Sequence, residues 1–182
     1  MVKSVDEIIF CFGELGANIL ELRILPGTVE HLSDCIEALR NSELGEVYYH
    51  PEDELRVGFT EGFSKGEIFV ALDEGNNCLG YIWIALSGAF YGFPYCRNIA
   101  IKKNWRGRGI GSALLRYYEK VGFENSNRLF ILVSDFNHDA PKLYERLGYE
   151  HVGVIPNLFK MGVSENILVK FGSEDDIAET TG

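Results

Sequence analysis

The sequence predicts a mixed α/β fold: a sheet flanked by helices, with one parallel pair of strands within it. Apolar residues switch between strand alternation and helical spacing in the order strand, two helices, three strands, helix, strand, helix, two strands. Residues 129–133 form a continuous apolar run, which suits a strand buried on both faces beside a parallel partner. That partner is predicted at residues 97–101, because the stretch between them reads as a right-handed helical crossover.

The elements follow in order. Ser4, Val5, Asp6 and Glu7 have the form of a capping box, while residues 8–12 suit a strand equally, and both readings stand. Residues 18–25 alternate and stop at Pro26 and Gly27, a first strand. Thr28 is placed as an N-cap, since Leu32, Cys35, Ile36 and Leu39 recur at helical spacing. Pro51 opens a second helix with Leu55, Phe59 and Phe63 on one face; Gly58 and Gly62 weaken it and predict mobility. Residues 67–72 and 79–86 form a hairpin about a turn at 73–77. Phe90, Tyr91, Phe93 and Tyr95 make an aromatic loop that either lines a pocket or covers the core. A helix bearing Leu114, Leu115, Tyr118 and Val121 ends near Gly122. After the strand at 129–133, a helix bearing Leu143, Tyr144 and Leu147 closes at Gly148. Residues 149–155 and 166–171 give the last two strands. Residues 1–18 are read as an N-terminal extension, 19–171 as one domain, and 172–182 as a polar, disordered tail.

Composition narrows the function. No apolar run approaches the length of a membrane span, and the acidic start of the chain lacks the charge pattern of a secretory or transit signal, so a cytoplasmic protein without a membrane partner is expected. Cys11, Cys35, Cys78 and Cys96 are scattered without metal-ligand spacing, as are the four histidines; free buried thiols and no metal are expected. Net charge is −10, yet residues 1–96 carry −11 and the remainder +1. Arg97, Lys102, Lys103, Arg106 and Arg108 crowd into twelve positions. The basic cluster suits a polyphosphate and the acidic half an amine, whereas nucleic acid is a poor partner for such a chain.

The chemistry concentrates at residues 98–112. Ile99, Ala100 and Ile101 end a strand, and Arg106, Gly107, Arg108, Gly109, Ile110, Gly111 and Ser112 form a basic, glycine-rich turn opening a helix. Glycines there expose backbone N–H groups, and the positive end of the helix dipole faces whatever anion they hold. Spacing excludes two common phosphate loops: there is no Gly-Lys-Ser/Thr tripeptide, and Gly-x-Gly-x-x-Gly fails from either Gly107 or Gly109.

The remaining pattern, Arg-x-x-Gly-x-Gly after an apolar strand, resembles the pyrophosphate loop of the GNAT N-acetyltransferase superfamily. A second segment, Asn137 with Ala140 and then Leu143 to Tyr149, is similar to that family's second coenzyme segment. The resemblance covers roughly residues 19–171. It implies a mostly antiparallel sheet with a splayed parallel central pair, and acetyl-CoA as co-substrate. By resemblance, the backbone of Ile99 and Ile101 pairs with the pantetheine arm, residues 106–112 hold the pyrophosphate, Asn137 contacts the coenzyme, and Tyr144 is the acid that protonates the departing thiolate. Many family members carry a carboxylate six residues before the Ile99 position or five before the Asn137 position. Here Phe93 and Leu132 stand there, leaving Asp135, His50 or a water chain for the base. The expected function is acetylation of a primary amine, on a small molecule or a peptide N-terminus; a homodimer stays open. The competing readings are a coenzyme-binding domain without turnover and an α/β scaffold without a ligand.

Overall fold

The structure, a computed structural model, describes residues 8–12, 20–48, 50–138 and 140–172. Among them the chain forms eight strands and five α-helices: β1 (Ile8–Phe12), β2 (Leu20–Pro26), α1 (Leu32–Arg40), α2 (Glu43–Val47), α3 (Glu52–Ser64), β3 (Ile68–Leu72), β4 (Cys78–Ala89), β5 (Phe93–Ile101), α4 (Ile110–Phe123), β6 (Arg128–Ser134), α5 (Ala140–Arg146), β7 (Glu150–Pro156) and β8 (Ser164–Phe171). The fold is mixed α/β, with mostly antiparallel pairing and one parallel pair. Among the described residues no helix is long and apolar enough to cross a membrane.

The chain divides into two compact units. The first runs to Trp83 and takes up Asn98–Tyr117; the second holds Ile84–Arg97 and continues from Tyr118.

In the first unit β1, β2, β3 and β4 pair antiparallel in sequence order. The strand reading of residues 8–12 is the one realised, Ile8 facing Ile24; Ser4 to Glu7 lie outside the described residues. A 3-10 turn over Val29–His31 precedes α1, and the Thr28 N–H donates to His31 Nδ1 at 3.1 Å. Cys35, Ile36, Ala38 and Leu39 are the buried face of α1 and meet Phe59 of α3 and Ile68, Val70 and Leu72 of β3. The other face of β3 carries Phe69, whose ring lies 4.9 Å from that of Tyr117 on α4. With both faces covered, every residue of β3 is buried.

Gly62 has a packing role. A Cβ there would come within 2.6 Å of Ile68 Cδ1 and 2.7 Å of the Trp83 ring, so glycine is required for α3 to lie this close to β3 and β4. Gly80 answers a similar need, since its Cβ would sit 2.6 Å from the Ala100 carbonyl oxygen. The Lys102 N–H donates to the Leu79 carbonyl at 2.9 Å and extends the same lacing.

In the second unit β5 runs parallel to β6, and β6, β8 and β7 pair antiparallel in that order. The parallel register joins Tyr95 to Phe130 and Cys96 to Ile131, upstream of the predicted residues 97–101. β6 alternates rather than being buried throughout: Leu129, Ile131 and Val133 are buried, whereas Phe130 and Leu132 are half-buried. The aromatic stretch is not a long loop. β4 and β5 are joined by a tight turn in which Phe90 and Tyr91 take positive φ of 49° and 61°. The rings of Phe90 and Phe93 pack on Phe130 at 5.3 and 5.4 Å, covering the sheet, while Tyr91 projects fully into solvent. The Tyr118 hydroxyl donates to the Phe130 carbonyl at 3.0 Å and accepts the Phe130 N–H at 3.2 Å, fixing the C-terminal half of α4 to β6. Cys35, Cys78 and Cys96 are buried free thiols. The tail at 173–182 lies outside the described residues.

Candidate functional site

The glycine-rich turn belongs to the first unit. After β5 the chain makes a 3-10 turn over Lys103–Trp105, then passes Gly107 at φ 74° and Gly109 at φ 84° into α4. Both glycines occupy the left-handed region, where a side chain is strained. The first bond of α4 runs from the Ala113 N–H to the Gly109 carbonyl at 3.0 Å. The N–H groups of Ile110, Gly111 and Ser112 therefore precede the ladder and point out of the helix start. Gly111 differs from the other two: its φ is ordinary, and a Cβ there would meet nothing within 4 Å. Neither backbone conformation nor packing within the fold calls for glycine at Gly111; a group bound against the helix start would. The turn thus fits a diphosphate, with Ile110 anchoring the helix from beneath as a fully buried side chain.

The basic residues around the turn divide by what they touch. Lys102 Nζ lies 2.6 Å from Asp34 Oδ1 and 2.8 Å from Glu37 Oε2. Burial works against its charge, but the hydrogen bonds and charges of these two carboxylates outweigh it and hold the ammonium pKa above the ordinary lysine value. Arg106 donates from Nε to the Ile101 carbonyl at 3.0 Å and from Nη2 to the Asn41 carbonyl at 2.6 Å. Arg108 is exposed, its guanidinium 4.7 Å from the Trp105 ring centre. Of the predicted arginines, Arg108 is the one whose guanidinium faces solvent without such backbone acceptors, whereas the Arg106 fork is directed at carbonyls.

β5 brings Ile99, Ala100 and Ile101 to the same place. Ala100 is buried and backs onto Gly80. Because the Lys102 N–H is directed at β4, the alternation of ladder bonds turns the N–H groups of Ile101 and Ile99 to the opposite edge. The parallel pairing of β5 covers Tyr95 and Cys96; among the described residues no strand pairs that edge at Ile99–Ile101. Such an edge can accept an extended ligand as an added strand. The Ile101 carbonyl already accepts Arg106, so its N–H is the group left for a ligand.

The second unit carries the other two predicted residues. Asn137 Oδ1 accepts the Ala140 N–H at 3.2 Å and caps the start of α5; its amide nitrogen is the end left for a ligand. Tyr144 is 6% exposed, and its ring meets Tyr149 edge-on. Burial, with smaller contributions from Cys96 and Tyr95, raises its phenol pKa well above the usual value. Its O–H stays protonated through the neutral range, and the same shift makes it a weaker acid than a free phenol. Gly148 at φ 83° ends the helix, and the Tyr149 N–H returns to the Tyr144 carbonyl at 3.0 Å.

The positions expected to hold a base are apolar and engaged in packing. Phe93 stacks on Phe130, and Leu132 is a half-buried strand residue paired with Ile167. Asp135 accepts the Ser164 N–H at 3.1 Å, and its own N–H reaches the Ser164 carbonyl at 2.9 Å, so it joins β6 to β8. His50 is exposed, its Nδ1 3.7 Å from Glu54. One buried carboxylate escaped the sequence reading. Glu165 on β8 is 2% exposed and lies opposite Ser134, whose hydroxyl sits 2.9 and 3.0 Å from its two oxygens. Its only signal is an acidic residue entering an apolar strand, and that strand was predicted to start one residue later.

The model of the acetyltransferase (GNAT) family matches residues 33–149, more than half of the chain. This protein is a GNAT acetyltransferase family member. An uncharacterised N-acetyltransferase of Methanocaldococcus jannaschii is 30% identical over 104 residues, 56% of this chain and 65% of that protein. A Bacillus subtilis protein, provisionally named as the alanine N-acetyltransferase of ribosomal protein bS18, is 27% identical over 136 residues, 67% of this chain and 86% of its own length. An uncharacterised protein of Mycobacterium leprae matches 103 residues, 28% of its length, so the GNAT chain spans less than two thirds of the first and third of these relatives. Among solved structures, Ard1 from Thermoplasma volcanium superposes with a TM-score of 0.70 at 16% identity, covering 84% of this chain and 99% of that one, which is a likeness of fold.

Proposed function

We propose that this GNAT protein transfers an acetyl group from acetyl-CoA to a primary amine, either on a small molecule or at a peptide or protein N-terminus. The observation that carries the reading is the start of α4: N–H groups of Ile110, Gly111 and Ser112 ahead of the helix ladder, beside a glycine that the fold itself does not need. In this reading residues 106–112 bind the coenzyme diphosphate, with Arg108 supplying charge. The edge of β5 at Ile99, Ala100 and Ile101 orients the pantetheine arm, and Asn137 offers it an amide donor. The bound thioester supplies the activated acetyl group. The Ile101 N–H donates to the thioester carbonyl oxygen, and that interaction strengthens as charge grows there. Tyr144 donates its phenolic proton to the departing sulfur.

The acceptor side favours amines that lose a proton easily. At pH ~7.4 a lysine amine with pKa ~10.4 is roughly 4 kcal/mol from its neutral form, whereas an α-amine near ~7.8 needs only ~0.5 kcal/mol. With Phe93 and Leu132 where carboxylates were expected, the α-amine is the easier acceptor. The name of the Bacillus subtilis relative, an alanine N-acetyltransferase, supports the same choice. A second reading, coenzyme binding without turnover, draws on the same two apolar positions. Incubation with acetyl-CoA and a panel of small amines and peptides, followed by thiol release and mass spectrometry, separates them. Release with an α-amine substrate supports the transferase; coenzyme binding without release for any amine overturns it in favour of the second reading.

A further inference from the structure

Two acidic residues, Asp34 and Glu37, stand close to a turn that is read as an anion site, and both are committed to Lys102. They are one helical turn apart on α1, so a single face of that helix presents both carboxylates to one ammonium, at 2.6 and 2.8 Å. The same helix meets the turn again at its C-terminal end. Asn41, which caps α1 by donating from N and Nδ2 to the Glu37 carbonyl at 3.2 and 2.9 Å, offers its own carbonyl to Arg106 Nη2. A guanidinium suits that position, because the last carbonyls of a helix lack intrahelical donors and carry the negative end of its dipole. The Arg106 Nε bond to the Ile101 carbonyl then closes residues 101–106 into a loop tied at both ends.

We propose that α1 is the anchor of the glycine turn: Asp34 and Glu37 acting through Lys102, and the Asn41 carbonyl acting through Arg106, hold residues 102–109 in the conformation that receives an anion. The side chains of Lys102 and Arg106 are then positioning groups, and anion contact falls to the backbone N–H groups of residues 106–112 and to the Arg108 side chain. The inference rests on the reading that the turn binds the coenzyme diphosphate, and it reverses a simple electrostatic expectation. If Asp34 and Glu37 acted on the anion only through their charge, removing them would strengthen its binding. As anchors, they strengthen binding by being present, because a turn already held in place loses less conformational entropy when the ligand arrives. Lys102 is 18% exposed, Asp34 36% and Glu37 54%, so the ion pairs are open enough to contribute little to global stability.

The test uses the full chain with the double variant Asp34→Asn/Glu37→Gln, and with Lys102→Met and Lys102→Arg. Two quantities are read: amide hydrogen exchange at residues 101–112 in the free protein, and the dissociation constant for coenzyme A. The expected result is faster exchange confined to the turn and a several-fold weaker coenzyme affinity in the double variant and in Lys102→Met, with Lys102→Arg restoring both. Turnover at saturating acetyl-CoA stays near wild type while KM for acetyl-CoA rises, a split that general loss of folding does not produce. Unchanged exchange, or affinity that is equal or tighter in the double variant, overturns the anchoring. If the wild-type chain binds no coenzyme A, the functional reading falls, and exchange alone decides: unchanged exchange at the turn in the double variant then overturns the anchor and faster exchange upholds it.

Discussion

The Tyr144 ring meets the Tyr149 ring edge-on, with centres 5.7 Å apart and planes at 74°. The contact holds Tyr144 through its ring, in a site where the residue is buried. Tyr144→Phe should keep the contact and remove only the donor. Turnover should fall by about a hundredfold or more, the order that a positioned acid contributes, with little change in coenzyme affinity or melting temperature. Steady-state kinetics beside a coenzyme titration checks this; unchanged turnover removes Tyr144 from the acid role.

Gly111 lets stability and binding be separated. Gly111→Ala places a methyl group in open space on a helical backbone and should stabilise the protein by about 0.5–1 kcal/mol, the usual gain of alanine over glycine in a helix. Gly111→Leu should also fold, yet obstruct the helix start and abolish coenzyme binding. Thermal denaturation and calorimetric titration of both variants provide the check. Full coenzyme affinity in the leucine variant would remove the helix start from the site.

Gly80 has the opposite character. Its Cβ would lie 2.6 Å from the Ala100 carbonyl oxygen and 3.0 Å from the Ile101 Cα, both backbone atoms that cannot turn aside. Gly80→Ala should cost about 1–3 kcal/mol through overpacking and also displace the β5 edge, weakening coenzyme binding. Urea unfolding with a coenzyme titration measures both losses.

Stability should fall on the alkaline side. Burial pushes the Cys96 thiol from 9.0 up to about 12 and raises the Tyr144, Tyr118 and Tyr149 phenols as well. Between pH 9 and 12 the unfolded chain loses these protons while the folded chain keeps them. The folded state therefore binds more protons, and the stability these groups contribute, complete below the unfolded values, is lost as pH rises. Each such group can contribute a slope of at most about 1.4 kcal/mol per pH unit. Unfolding free energies at pH 8, 9, 10 and 11 should bend downward above pH 9, less steeply in Cys96→Ala.

Much of this was legible in the sequence because local signals and tertiary demands agree. The switch of periodicity at residues 97–122 carried β5, the turn and α4, and Gly148 marked the end of α5, since each follows from backbone preference alone. What was not legible shares a different cause. The packing reason for Gly62 was not legible, because the approach of Ile68 and Trp83 comes from distant residues. Phe90 and Tyr91 do lie in a connection, but Phe93 and Tyr95 looked like part of the same loop because their place in β5 depends on pairing with other strands. For Arg106 the sequence shows the charge but not the carbonyls of Ile101 and Asn41 to which its side chain is directed. Glu165 was passed over because its burial depends on Ser134, which lies on another strand.

The central claim is that the N–H groups at the start of α4 and along the β5 edge receive the coenzyme. Residue-resolved amide exchange with and without saturating acetyl-CoA tests it most directly. The account predicts new protection at Ile110, Gly111, Ser112 and Ile101; acetyl-CoA binding with protection elsewhere and none at these four amides would contradict it.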